Sequence, residues 1–215
     1  MRADRDQWSL LIPVKRLDAA KTRIAVPGTA RADLALAMAA DTVQAALGAD
    51  EVAEVIVITS DDRARDALRA LGARVIDDQP DAGLNPALQH GAELAVTSMV
   101  AALSADLPAL ASADLDRVLR LAADHPVAVV ADAGGVGTTL LTARGIENFG
   151  PAFGAESRAA HVAAGAVDLT ADAAPALRHD VDTLDALEAA VALGVGVETT
   201  RAVRDLWSEQ IGPMP

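Results

Sequence analysis

At 215 residues with 52% hydrophobic content, the chain has room for one sizeable core and is short for two ordinary domains, and 23% charged residues argue against a disordered or fibrous class. A formal net charge of −13 repels phosphate backbones and anionic lipid, which argues against nucleic acid or a membrane surface as partner, so an anionic ligand has to be held by a local cluster of cations. The absence of cysteine rules out disulfides and thiolate metal sites, while the polar start and the lack of any apolar run near the ~20 residues of a membrane span lead to the expectation of a cytoplasmic protein.

The elements follow in chain order. Leu10 to Val14 reads as a buried strand, followed by a basic stretch to Arg23 with no helical or strand period. Thr29 to Leu47 carries Leu36, Ala40, Val43 and Leu47 at helical spacing, with Thr29 as candidate N-cap. Val55 to Thr59 predicts a second strand, and Ala64, Leu68 and Leu71 a second helix ending at Gly72. Then come a strand from Arg74 to Asp77, a turn from Asp81 to Leu84, a helix from Asn85 to Val96 and a strand from Met99 to Leu103. A helix from Ser112 to Asp124 leads into two strands, Val127 to Ala131 and Thr138 to Thr142, joined by a glycine-rich turn short enough for an antiparallel hairpin. An irregular loop from Phe149 to Gly154, a helix from Ser157 to Ala164, a brief strand from Arg178 to Val181 and a helix from Thr183 to Leu193 complete the pattern. This alternation predicts one α/β domain, residues 1–215 with a core of about 9–204, whose mostly parallel, mixed sheet carries helices on both faces and ligands at the carboxyl ends of its strands.

Chemistry concentrates at those carboxyl ends. Lys15 and Lys21, the only lysines of the chain, lie with Arg16 and Arg23 in nine residues after the first strand, enough positive charge to hold a triphosphate and stabilise a departing pyrophosphate. A solvated basic loop is the plainer alternative. Asp106 ends a predicted strand where a carboxylate can hold Mg²⁺, or it caps a nearby helix; Asp180 and Asp182 would share one side of the last short strand, unless Asp182 caps the helix at Thr183. Gly83 and Asn85, before a helix, are candidates for a nucleotide's base or ribose, or form a turn with an Asn N-cap. Thr138, Gly154 and Ser157 offer hydroxyls and free amides suited to a phosphate or carboxylate, turn chemistry being the alternative. His90, His125, His161 and His179 show no metal-ligand spacing and read as surface or structural; there is no nucleophile elbow and no Walker loop.

Taken in order, Pro13-Val14-Lys15, Lys21-Thr22-Arg23, Gly83-Leu84-Asn85, Asp106-Leu107-Pro108, Gly137-Thr138, Phe153-Gly154 with Ser157, and Asp180-Val181-Asp182-Thr183 resemble the phosphoenolpyruvate or 2-phospho-L-lactate guanylyltransferases of coenzyme F-420 biosynthesis, over about residues 10–204. The resemblance implies a Rossmann-like nucleotide-diphospho-sugar transferase fold, GTP as donor, Mg²⁺ as cofactor, and transfer of GMP to a small phosphorylated acid with release of pyrophosphate. It assigns Lys15, Lys21 and Arg23 to the triphosphate and to catalysis, Asp106 and Asp180 to the metal, and Thr138, Gly154 and Ser157 to phosphoenolpyruvate. That acceptor is preferred over 2-phospho-L-lactate because the Ala- and Arg-rich composition fits a GC-rich actinobacterial source; a labile product would pass to the next enzyme of the pathway. Ala105 stands where the family usually has Gly, and the segment between Thr142 and Phe153 is one residue longer than expected. A catalytically silent nucleotide-binding module of the same fold is the alternative outside enzymes.

Overall fold

The computed structural model describes residues 7–21, 23–24 and 28–208; Thr22 of the basic loop and the two termini lie outside them. Its elements are β1 (Trp8–Pro13), α1 (Gly28–Leu47), β2 (Val52–Ile58), α2 (Asp62–Ala70), β3 (Arg74–Ile76), α3 (Leu84–Glu93), β4 (Met99–Leu103), α4 (Ser112–Ala122), β5 (Val127–Ala131), β6 (Thr138–Arg144), α5 (Ser157–Ala163), β7 (Val167–Asp168), α6 (Pro175–Arg178), α7 (Leu184–Leu193) and α8 (Val197–Leu206).

The strands form one seven-stranded sheet in the order β3-β2-β1-β4-β6-β5-β7. All neighbouring pairs are parallel except those of β6, which runs antiparallel between β4 and β5. The inner strands are apolar on both faces, as a sheet covered twice requires. On β1, Leu10 and Ile12 pack into a core with Val43 of α1 and Leu115 of α4, whereas Leu11 faces Leu88 of α3 and Phe149 on the opposite side. α1 is buried twice over. Its second side places Leu34 and Met38 against Leu187 of α7 and Val203 and Trp207 of the C-terminal helix.

Three predicted details change. The expected strand from Arg178 to Val181 is absent: Pro175, fixed at a helical φ in the first turn, starts the short α6 instead, and Val167–Asp168 takes the sheet edge beside β5. Two residues are too few to show an alternating pattern. Thr29 lies within the first turn of α1 rather than before it, and α3 stops at Glu93, with Leu94 as its C-cap. α8 has no side-chain cap of its own; buried Asp41 on α1 accepts the amides of Glu198 (3.1 Å) and Thr199 (2.7 Å). A Cβ on Gly196 would collide with that carboxylate.

Candidate active site

Chain connections leave β1 toward β2 on one side and reach β4 on the other, so the carboxyl ends of β1 and β4 meet at a topological switch point, where a doubly wound sheet opens its crevice. A cavity of about 420 Å³ lies there. The basic loop after β1 forms one wall, with Lys15, Lys21 and Arg23, and the segment after β4 another, with Ser104, Ala105 and Asp106. Asp180 and Asp182 close it. Val14 keeps the loop in line with the sheet by donating to Ile58 O (2.8 Å), and the Leu17 amide is held by the Asp61 carboxylate (2.9 Å).

The three aspartates converge because two loops are stitched together: the Val181 amide donates to the Asp106 carbonyl at 3.1 Å. Thr42 of α1 supports the same segment by accepting from the Leu107 amide at 3.1 Å. Lys21 Nζ donates to Asp106 Oδ2 and, at 3.0 Å, to Asp182 Oδ1, while Arg23 pairs with the other oxygen of Asp182. Lys21 adopts φ 54, an uncommon backbone for a residue with a Cβ, which turns its side chain's root into the cluster. Burial pulls its pKa down, but Asp106 and Asp182 outweigh burial and hold the ammonium above its usual value. Burial pushes Asp182 up, and Lys21, Arg23 and Lys15 together bring its carboxyl below the usual range. Asp180 differs. Among the described residues no cation pairs with it, and burial, reinforced by Asp106, Asp182 and Asp132, raises its pKa to about 6.

Neither helix-capping role holds for these aspartates. Asp106 caps no helix, since α4 begins at Ser112 after Ala111, and Asp182 does not cap α7, where Thr183 Oγ1 accepts from the Ala186 amide at 3.2 Å.

The hydroxyl-bearing residues form a second group at the same edge. Because β6 runs antiparallel, its first residue, Thr138, lies at the edge where β4 ends, and Ser104 N donates to Thr139 O at 2.9 Å across that junction. Ser157 Oγ donates to Thr138 Oγ1 at 3.1 Å, and His161 Nδ1 lies 3.0 Å from the same oxygen. Gly154 follows with φ 145, a region that favours glycine, so the loop from Phe149 reaches α5 without strain only because this residue lacks a Cβ.

Asn85 departs from the expectation. Its Nδ2 donates to Phe153 O (3.0 Å) and its Oδ1 accepts from Phe153 N (2.8 Å), so both ends of the carboxamide hold the loop before Gly154 instead of facing open space. The N-cap position belongs to Gly83, at φ 100. Gly83 itself is exposed beside the cavity wall formed by Leu84. His161, expected to be surface or structural, is buried and accepts the Ala152 amide on Nε2 at 2.9 Å, and its place four residues after Ser157 on one helix face brings it to Thr138.

Comparison with known proteins bears on this arrangement. The sequence model of a family described as CofC-like guanylyl transferases matches residues 8–173. The chain belongs to this family. A phosphoenolpyruvate guanylyltransferase from Thermomonospora curvata is 55% identical over 197 residues, covering 89% of this chain and 86% of the relative. Another, from Streptomyces coelicolor, is 52% identical over 199 residues, covering 90% and 94%. In fold, the chain is similar to a nucleotidyl transferase of known structure from Methanothermobacter, with a TM-score of 0.59 at 20% identity over 88% of this chain and 98% of that one. As a CofC-like guanylyl transferase, the chain is a nucleotidyltransferase, and its mixed, mostly parallel sheet is the one its sequence predicted. Among the described residues no helix is long and apolar enough to cross a membrane.

Proposed function

We propose that this enzyme transfers GMP from GTP to the phosphate of phosphoenolpyruvate and releases pyrophosphate, a step of coenzyme F-420 biosynthesis. The observation that carries the reading is one crevice lined by Lys15, Lys21 and Arg23 together with Asp106, Asp180 and Asp182, in which Asp180, a carboxyl pushed up to about 6 by burial and then by Asp106, Asp182 and Asp132, marks negative charge that Lys21 and Arg23 leave uncompensated. A divalent cation relieves such a charge. Mg²⁺ takes oxygen ligands and is commonly held by one or two carboxylates with substrate phosphates completing the shell, so Asp106 and Asp180 fit it without a third ligand. When bound, the ion would supply charge neutralisation on the triphosphate and on the departing pyrophosphate.

The chain's own residues account for the remainder. Lys15, Lys21 and Arg23 line the crevice and hold the triphosphate, Lys21 exchanging its carboxylate partners for phosphate oxygens. An oxygen of the acceptor's phosphate attacks the α-phosphorus of GTP, a new P–O bond forms, and the bond to the bridging α–β oxygen breaks with its electron pair leaving on pyrophosphate. That oxygen is already anionic, so no general base is needed; positioning and charge neutralisation carry the catalysis. The Thr138 hydroxyl and the backbone amides of Gly154 and Ser157 hold the acceptor, with the Ser157 hydroxyl donating to Thr138 Oγ1, and the names of relatives at 55% and 52% identity support phosphoenolpyruvate as its identity.

The test is pyrophosphate release from GTP and Mg²⁺, with phosphoenolpyruvate and 2-phospho-L-lactate in separate reactions and mass detection of a GMP adduct. Release with phosphoenolpyruvate is expected. Release with 2-phospho-L-lactate alone, or with neither, overturns the assignment.

A further inference from the structure

We propose that His161 is a positioning residue of the acceptor site, whose imidazole, carrying its proton on Nδ1, fixes the Thr138 hydroxyl as a donor toward an anionic oxygen of the acceptor. The inference rests on the acceptor site proposed above at Thr138 and Ser157.

Proton counting leads there. His161 Nε2 lies 2.9 Å from the backbone nitrogen of Ala152, which can only donate, so Nε2 is the accepting nitrogen of the ring. A neutral imidazole then holds its single proton on Nδ1, which donates to Thr138 Oγ1 at 3.0 Å. Ser157 Oγ donates to the same oxygen at 3.1 Å. With two donors received, Thr138 Oγ1 has its own proton left to give, and a carboxylate or phosphate oxygen is the partner that accepts it. The three side chains are 8%, 2% and 1% exposed for Thr138, Ser157 and His161, so little solvent competes for these bonds. Burial also holds the His161 pKa below its ordinary value, in keeping with a neutral ring. Phe153 meets the ring edge-on, with centroids 5.2 Å apart, and fixes its plane.

The same imidazole anchors the loop through Ala152, so a merely structural role has to be separated from the positioning role. The amide nitrogen of Asn reaches the place of Nδ1, whereas the amide of Gln reaches that of Nε2. His161→Asn therefore keeps a donor for Thr138 and releases Ala152; His161→Gln keeps an acceptor for Ala152 and releases Thr138. The experiment measures KM for phosphoenolpyruvate and for GTP in wild type, both variants, Thr138→Val and the double variant His161→Gln/Thr138→Val. Expected is a rise of about tenfold in acceptor KM for His161→Gln, with GTP KM within about twofold, and a recovery of most of that loss in His161→Asn. In the Thr138→Val background the Gln substitution adds less than about twofold, because the bond it removes is already gone. A reversed ranking, Gln near wild type and Asn impaired, overturns the inference in favour of loop anchoring, as do independent effects in the double variant. Wild type without acceptor-dependent pyrophosphate release overturns the acceptor site itself.

Discussion

The backbone of Val181 donates to the carbonyl of Asp106 at 3.1 Å, and this one bond ties the segment after β4 to the segment before α7. Asp106 thus faces Asp180 and Asp182 across a seam that does not depend on the carboxylates. Asp106→Asn keeps shape and seam while removing a charged metal ligand, so Mg²⁺-dependent pyrophosphate release should fall by at least about 100-fold, more than outer-shell substitutions usually cost. The melting temperature should hold within about 3 °C, a shift on the order of 1 kcal/mol for this size. Unchanged turnover would remove Asp106 from the metal site.

Asp180 carries the opposite expectation for stability. Its folded-state pKa of about 6 lies above the ordinary 3.8, so the folded chain binds the proton more tightly than the unfolded one. The favourable contribution is complete below about 3.8 and is lost as pH rises through about 6, leaving a net strain at neutral pH. Asp180→Asn removes that strain. Part of the side chain stays in water, which holds the gain to about 1–2 kcal/mol, or roughly 2–8 °C in Tm, in protein freed of metal by a chelator. The difference from wild type should be largest at pH 7–8 and vanish toward pH 4, while activity is lost. Equal melting curves across that range would contradict the charge crowding.

Sequence legibility divides along physical lines. The apolar runs of β1, β2 and β4 are buried on both faces, and the lysine clustering marks the loop that does line the crevice, so local composition was sufficient there. β7 was invisible because two residues show no period, and α8 because its cap is supplied by Asp41, 157 residues from Glu198. Asp180 and Asp182 do line the crevice, but from a non-repeating loop held by Val181 and not from the expected strand. Lys21, expected at a triphosphate, is engaged in this structure by two carboxylates that no spacing rule would pair across 85 and 161 residues.

Asn85 gives a direct test of where the nucleotide and acceptor sites divide. With both ends of its carboxamide on Phe153, Asn85→Ala leaves the loop before Gly154 without its tie to α3. Two bonds of about 1 kcal/mol each predict a rise of roughly 10–30-fold in KM for phosphoenolpyruvate, with GTP KM within about threefold. A larger effect on GTP would return Asn85 to the nucleotide.

Ser157→Ala probes the other side of the same loop. The Ser157 hydroxyl is spent on Thr138 Oγ1, so its loss frees that oxygen to rotate its proton away from the acceptor. Acceptor KM should rise about 10-fold, with GTP KM little changed. Equal effects on both substrates would move the acceptor site away from Thr138.

Asp41 separates stability from chemistry. Its buried carboxylate receives the amides of Glu198 and Thr199 at the start of α8, where the positive end of the helix dipole favours a negative charge. Asp41→Ala leaves those amides buried and unpaired, a loss of about 1–2 kcal/mol by comparison with helix N-caps, or roughly 2–8 °C in Tm. Amide hydrogen exchange should quicken first along α8, which packs on α1 through Met38 and Val203 without contributing a side chain to the crevice. Both KM values should stay within about twofold of wild type. Loss of GTP affinity in Asp41→Ala would mean that α8 docking shapes the crevice wall through α1, where Ala35 and Ala39 line it.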